Sequence, residues 1–181
     1  MRRSGWLAGV MLLAACAPTI EHPAPAGPAF ESDDVRFAAP TGWEWLPSTS
    51  ISYGPGQILL YVANQPLRAD CHNTDTEVVC QSPLADGLHA GGVLVTWVAS
   101  RCVVRSCELP PGALISIGNR QGVRVPNDYG CEGTDFTERS AYYVTVTPQR
   151  VDVLFTCGRD PSDATRSAFL GFLDAIRWRI P

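Results

Sequence analysis

The chain has 181 residues, 18 of them acidic and 14 basic, all arginine, for a formal net charge of −4. The absence of lysine excludes Schiff-base chemistry, a phosphate-loop lysine and a Ser-Lys dyad. The acidic balance is opposite in sign to what a nucleic-acid backbone attracts, which excludes that class of partner.

The first fifteen residues divide into the parts of an export signal: a positive start at Arg2 and Arg3, an apolar run from Trp6 to Leu13, then small residues. The run is well short of the roughly 20 apolar residues that a membrane span needs. Leu13-Ala14-Ala15-Cys16 resembles a lipobox. That resemblance implies removal of residues 1–15 and a diacylglycerol on the Cys16 thiol. The exported protein would then be lipid-anchored on the outer face of the cell membrane or in the outer membrane. Each buried methylene contributes about 0.8 kcal/mol, so two or three acyl chains hold such a protein stably. Loss of Arg2 and Arg3 leaves 12 arginines against 18 acids, a net charge of −6.

Residues 16–34 read as a linker. Pro18, Pro23, Pro25 and Pro28 favour an extended polyproline II tether that reaches about 50 Å, at roughly 3.1 Å per residue. Residues 35–181 are the length of one ordinary domain. Within it the runs 57–63, 92–99 and 113–117 are rich in Val, Ile, Leu and aromatics and predict strands. Gly118-Asn119 predicts a tight turn that joins 114–117 to 123–125. Tyr142, Val144 and Val146 alternate with Tyr143, Thr145 and Thr147. Val151, Val153 and Phe155 alternate with Asp152, Leu154 and Thr156. Thr147-Pro148-Gln149-Arg150 suits the turn between them, so this is a hairpin with one apolar face. A short helix is the most that 83–89 predicts.

One helix is well marked. Asp160 is a candidate N-cap, Pro161 suits the first turn, and Asp163 favours the positive end of the dipole. Phe169, Leu170, Phe172, Leu173 and Ile176 recur at helical steps as a stripe facing a sheet, and 177–179 read as a short strand. The expected class is α+β: an antiparallel β-sheet with a C-terminal helix packed on one face. Trp43, Trp45, Trp97 and Trp178 sit in or beside apolar runs and are expected mostly in the core.

Beyond Cys16 there are six cysteines: Cys71, Cys80, Cys102, Cys107, Cys131 and Cys157. An even set in an exported domain predicts disulfides, with fifteen possible pairings. Pairing neighbours is the simplest, giving Cys71–Cys80, Cys102–Cys107 and Cys131–Cys157. None is spaced C-x-x-C, so a thioredoxin-like role has no support.

Chemistry-bearing motifs are sparse. The chain has no G-x-S-x-G, no H-E-x-x-H and no Walker sequence. His72, Asp75 and Glu77, with His89, could serve a hydrolase or hold zinc or copper. The plainer reading is a polar loop closed by Cys71 and Cys80. The loop from Asp128 resembles a calcium loop but has Gly130 and Arg139 where oxygen ligands belong. No cofactor is implied. Arg101, Arg105, Arg120 and Arg124, against Glu108 alone, give a local excess of positive charge that could form a docking face.

The order of features is similar to a family. A strand leading into Pro40-Thr41-Gly42-Trp43, the hairpin 115–122, and the run from Tyr142 through a helix closing on 172–176 resemble PsbP-like domains, which include LpqN-type envelope lipoproteins. The resemblance implies an α-β-α sandwich that docks onto membrane-bound partners and shares no catalytic residues. The expected function is a non-enzymatic binding or docking module for an envelope protein or a small ligand. The alternative is an extracytoplasmic hydrolase or metal-binding protein using the histidines above.

Overall fold

In the computed structural model the described residues are 27–48, 56–66, 70–73, 78–81, 87–102, 107–127, 131 and 136–179. The strands, in chain order, are β1 (Ala29–Glu31), β2 (Val35–Ala38), β3 (Glu44–Pro47), β4 (Gly56–Ala63), β5 (Asp70–Asn73) and β6 (Val78–Gln81). After these come β7 (Val93–Arg101), β8 (Ala113–Ile117), β9 (Arg120–Pro126), β10 (Glu138–Thr147) and β11 (Arg150–Gly158), then helix α1 (Asp163–Ala175) and β12 (Arg177–Trp178). A seven-stranded sheet in the order β3-β4-β7-β11-β10-β9-β8 forms the body; β1-β2-β12 make a three-stranded sheet and β5-β6 a separate two-stranded one. Every pairing is antiparallel.

The expected antiparallel sheet and packed C-terminal helix are both present. The hairpins of 113–126 and 138–158 fall where their turn residues place them. Period-two alternation sends Trp97, Tyr142, Val144, Val146 and Leu154 to the helix side, where they meet Phe169, Phe172, Leu173 and Ile176 in one buried cluster. Phe37 of β2 stacks on Trp97 and meets Phe172 edge-on, with ring centroids 5.6 and 5.3 Å away. Trp43, Trp97 and Trp178 are buried and Trp45 is partly so, as expected of core tryptophans.

The structure corrects three expectations. The 142–155 hairpin has two apolar faces rather than one: Ala141, Val151 and Val153 are buried on the far side with Cys102, Cys107 and Leu109 against them. The helix N-cap is Ser162, not Asp160. Ser162 is extended and its Oγ accepts from the Thr165 N–H, whereas Asp160 adopts a positive φ of 47° and its N–H donates to Thr137 Oγ1. Residues 29–31, within the segment read as linker, form β1 against β2. The short helix expected at 83–89 falls mostly outside the described residues.

Two of the three neighbour pairings of cysteine are present, Cys102–Cys107 and Cys131–Cys157. Cys131 and Cys157 lie in a second buried cluster on the face opposite α1. In the third pair, the β5–β6 register sets the backbone of Cys71 opposite Cys80. Among the described residues no helix is long and apolar enough to cross a membrane. Both disulfides fit an oxidising compartment outside the cytoplasm.

The C-terminus locks the two sheets together. Gly118 has φ +62°, and a Cβ there would lie 1.7 Å from the Ile176 carbonyl oxygen, so the turn needs glycine for both conformation and clearance. Its neighbour Asn119 donates to the Trp178 carbonyl and accepts from the Trp178 N–H, while the Trp178 indole donates to the Ile117 carbonyl.

Candidate functional site

Side-chain size along the sheet decides what lies beneath α1. Register aligns Arg124, Tyr142, Leu154 and Trp97 in one cross-strand row and Pro126, Ser140, Thr156 and Val95 in the next. Beyond these, Glu138 faces Gly158. In the first row Leu154 and Trp97 are fully buried in the core under the helix, while Arg124 and Tyr142 border open space. Small and polar side chains in the next two rows leave a groove of about 620 Å³ beneath Arg166, Phe169 and Leu170. That volume falls within the range of about 300–1,000 Å³ typical of small-molecule sites.

The groove is apolar with a compact polar cluster. Val93, Ala113, Phe169 and Leu170 contribute its apolar walls. Ser140 and Thr156 are buried, and Thr156 Oγ1 donates to the Ser140 carbonyl at 3.1 Å. Arg124 Nε donates to Ser140 Oγ at 3.1 Å, and its guanidinium carbon stands 6.0 Å from the centre of the Tyr142 ring. Burial pushes the Tyr142 phenol above its ordinary pKa, offset in part by the nearby Arg124 charge and Ser140 hydroxyl. At neutral pH it is therefore a hydroxyl donor. At the rim, Arg166 donates to Glu138 and to Asp163. Among the described residues, no carboxylate pairs with Arg124.

Of the four arginines read as a docking face, Arg124 alone among the described ones lines this groove. Arg101 is exposed at the end of β7, opposite Arg150 in register. Arg120 turns inward and donates to the carbonyls of Thr145 and Val146 at 2.8 and 2.7 Å. Two strands separate β7 from β9, a spacing of about 14 Å. Arg105 lies outside the described residues. By register the described members share one side of the sheet but have separate surroundings.

Of the histidine constellation only His89 has a described side chain. His89 is exposed, its backbone held by the Gln65 side chain at 2.9 and 3.3 Å. His72 lies on β5 with only its backbone described, and Asp75 and Glu77 lie outside. Among the described residues no group of three or more His, Cys, Asp or Glu could hold a metal ion.

A second polar centre lies at the other end of the hairpin. Asp152, with no exposed side-chain surface, accepts from the Trp97 indole at 2.9 Å and from Arg150 Nε and Nη2 at 2.6 and 2.9 Å. Arg150 also reaches Asp34. Burial raises the Asp152 carboxyl above the usual range, against the lowering effect of Arg150 and Trp97. Every polar atom of this carboxylate is engaged, and it ties β7, β11 and the β1–β2 turn together.

Sequence reasoning passed over Ser140, Tyr142, Thr156 and Arg166. The signal was present as a polar break in the inward-facing alternation, Ser140 before Tyr142 and Thr156 after Leu154. Reading it as a site required the pairing register. Comparison with known proteins finds no matching family model, no matching curated protein and no matching solved structure.

Proposed function

We propose that the chain is an exported lipoprotein, anchored through lipid on Cys16, whose domain is a non-enzymatic binding module that holds a ligand in the groove under α1. The observation that carries this is the groove itself. A buried hydroxyl cluster and an arginine without a carboxylate partner face an apolar space of ligand size. The anchor rests on the lipobox residues Leu13–Cys16, and the disulfides agree with residence outside the cytoplasm. PsbP-like membership is part of the same proposal. It rests on the order of the Pro40–Trp43 segment, the Gly118 hairpin and the terminal helix, and it favours docking at a membrane over catalysis.

The test is native mass spectrometry of the full chain extracted from its own envelope. Wild type should carry a ligand mass that Leu170→Trp, which fills the groove, lacks while melting at a similar temperature. Equal ligand loading of the two proteins would overturn the groove as the site. In parallel, Cys16→Ser should abolish metabolic lipid labelling, and labelling that persists would overturn the anchor.

A further inference from the structure

We infer that the groove selects a singly charged, carboxylate-bearing amphiphile, its head on Arg124, Ser140 and Tyr142 and its apolar body along Phe169 and Leu170. This rests on the reading of the groove as a ligand site and specifies its chemistry.

The head group follows from what each polar side chain has left to offer. Arg124 spends Nε on Ser140 Oγ, and its remaining N–H groups have no carboxylate among the described residues. The guanidinium also hydrogen-bonds the Tyr142 phenol, and a guanidinium fork that carries no carboxylate in a partly apolar groove suits a two-oxygen anion. Tyr142, held as a phenol by burial, adds a hydroxyl donor and no charge. Thr156 is committed to the Ser140 carbonyl and so helps fix Ser140 beneath the arginine. A cationic head would face Arg124, and the described groove acid, Glu138, is already paired with Arg166.

The single charge follows from the rim. Arg166 also lines the groove, but Glu138 and Asp163 already take its guanidinium. Arg139 also borders the groove, but its Nε donates to the Phe136 carbonyl and its guanidinium lies by the Phe136 ring, while Glu138 is itself a groove residue, so a second negative charge on the ligand would meet a carboxylate. The apolar body follows from the walls. Val93, Ala113, Phe169 and Leu170 offer no donors, and a wholly polar ligand would be desolvated against them without compensation.

The experiment is calorimetric titration of the full chain with four eight-carbon probes: octanoate, octyl phosphate, octanol and octyltrimethylammonium. Octanoate should bind best and the ammonium probe not at all. Octyl phosphate should bind better at pH 5, where it is mainly a monoanion, than at pH 8, where it is mainly a dianion. Arg124→Gln should weaken octanoate about ten- to a hundredfold, the effect of losing a charge-assisted hydrogen-bonded pair, and leave octanol unchanged. Tyr142→Phe should weaken octanoate by a smaller factor. The inference is overturned if octanoate and octanol bind alike, or if Arg124→Gln weakens both equally. It is also overturned if no probe binds while wild type still carries its native ligand mass, and in these cases the groove reading survives. Absence of both probe binding and native ligand would sink the two together.

Discussion

At the C-terminal end of α1, Phe172, Leu173 and Ile176 are buried with Phe37, Trp97 and Trp178, and little space remains between them. At its N-terminal end, Arg166 and Leu170 stand over Ser140, Thr156 and Gly158, and about 620 Å³ is open. The same strands supply both floors. What differs is side-chain volume along each strand, from Leu154 to Thr156 and Gly158 on β11 and from Val144 to Ser140 on β10. A helix laid straight across such a sheet touches it at one end and bridges it at the other. The closed end supplies cohesion, and the open end can hold something else.

The largest expected effect lies at the closed end. Phe172→Ala removes a fully buried ring and should cost about 3–5 kcal/mol through lost burial and the cavity left behind. Thermal unfolding of the full chain measures this directly. Arg166→Ala, at the exposed rim of the open end, should change the melting temperature little. If the two variants melt alike, the division of the helix into a cohesive half and a bridging half is wrong.

A somewhat smaller effect is expected at the buried ion pair. Arg150→Met leaves the Asp152 carboxylate without its cation, at a cost of about 3 kcal/mol near neutral pH. The pH dependence has a definite sign. Asp152 already has a raised folded-state pKa, and loss of Arg150 raises it further above the unfolded value. The folded variant therefore binds a proton more readily than the unfolded one. Its deficit relative to wild type should shrink as pH falls through that raised value and grow as pH climbs back. A deficit that grows on acidification would show that the carboxylate is stabilised by something other than Arg150.

The smallest stability effect belongs to the groove. Arg124→Gln, on an exposed side chain with one hydrogen bond to Ser140, should cost no more than about 1 kcal/mol in urea or thermal unfolding. A loss comparable to that of Phe172→Ala would make Arg124 part of the cohesive interface and remove the contrast between the two ends.

The features legible in the sequence were those written in periodicity and local chemistry. The helix stripe, the 142–155 hairpin and the Gly118-Asn119 turn each lie within a window of fourteen residues or fewer, and all three elements stand where expected. The helix start was displaced by two residues because Asp160 and Ser162 are both good caps, and only backbone conformation separates them. The second buried face escaped notice because Ala141, Val151 and Val153 are covered by segments distant in the chain, beside Cys102 and Cys107. The groove was hidden for the same reason. Arg124, Ser140, Thr156 and Arg166 come from four elements and share a site only through pairing register. Arg101 and Arg120, close to Arg124 in the chain, have other surroundings.

The strand order also governs when the fold can come into being. The middle of the large sheet pairs β4 with β7 and β7 with β11, so residues near 60, 97 and 154 must meet across long stretches of chain. Trp178 fills the core against Trp97, and β12 gives β2 its second neighbour. Early hairpins such as β8–β9 can form locally, but they have no central sheet to join until β11 has appeared. Non-local pairing of this kind slows folding, because loop closure must precede the contacts that reward it. The central sheet therefore closes only once β11 is available to pair with β7, which makes β11 the gatekeeper of cooperative folding.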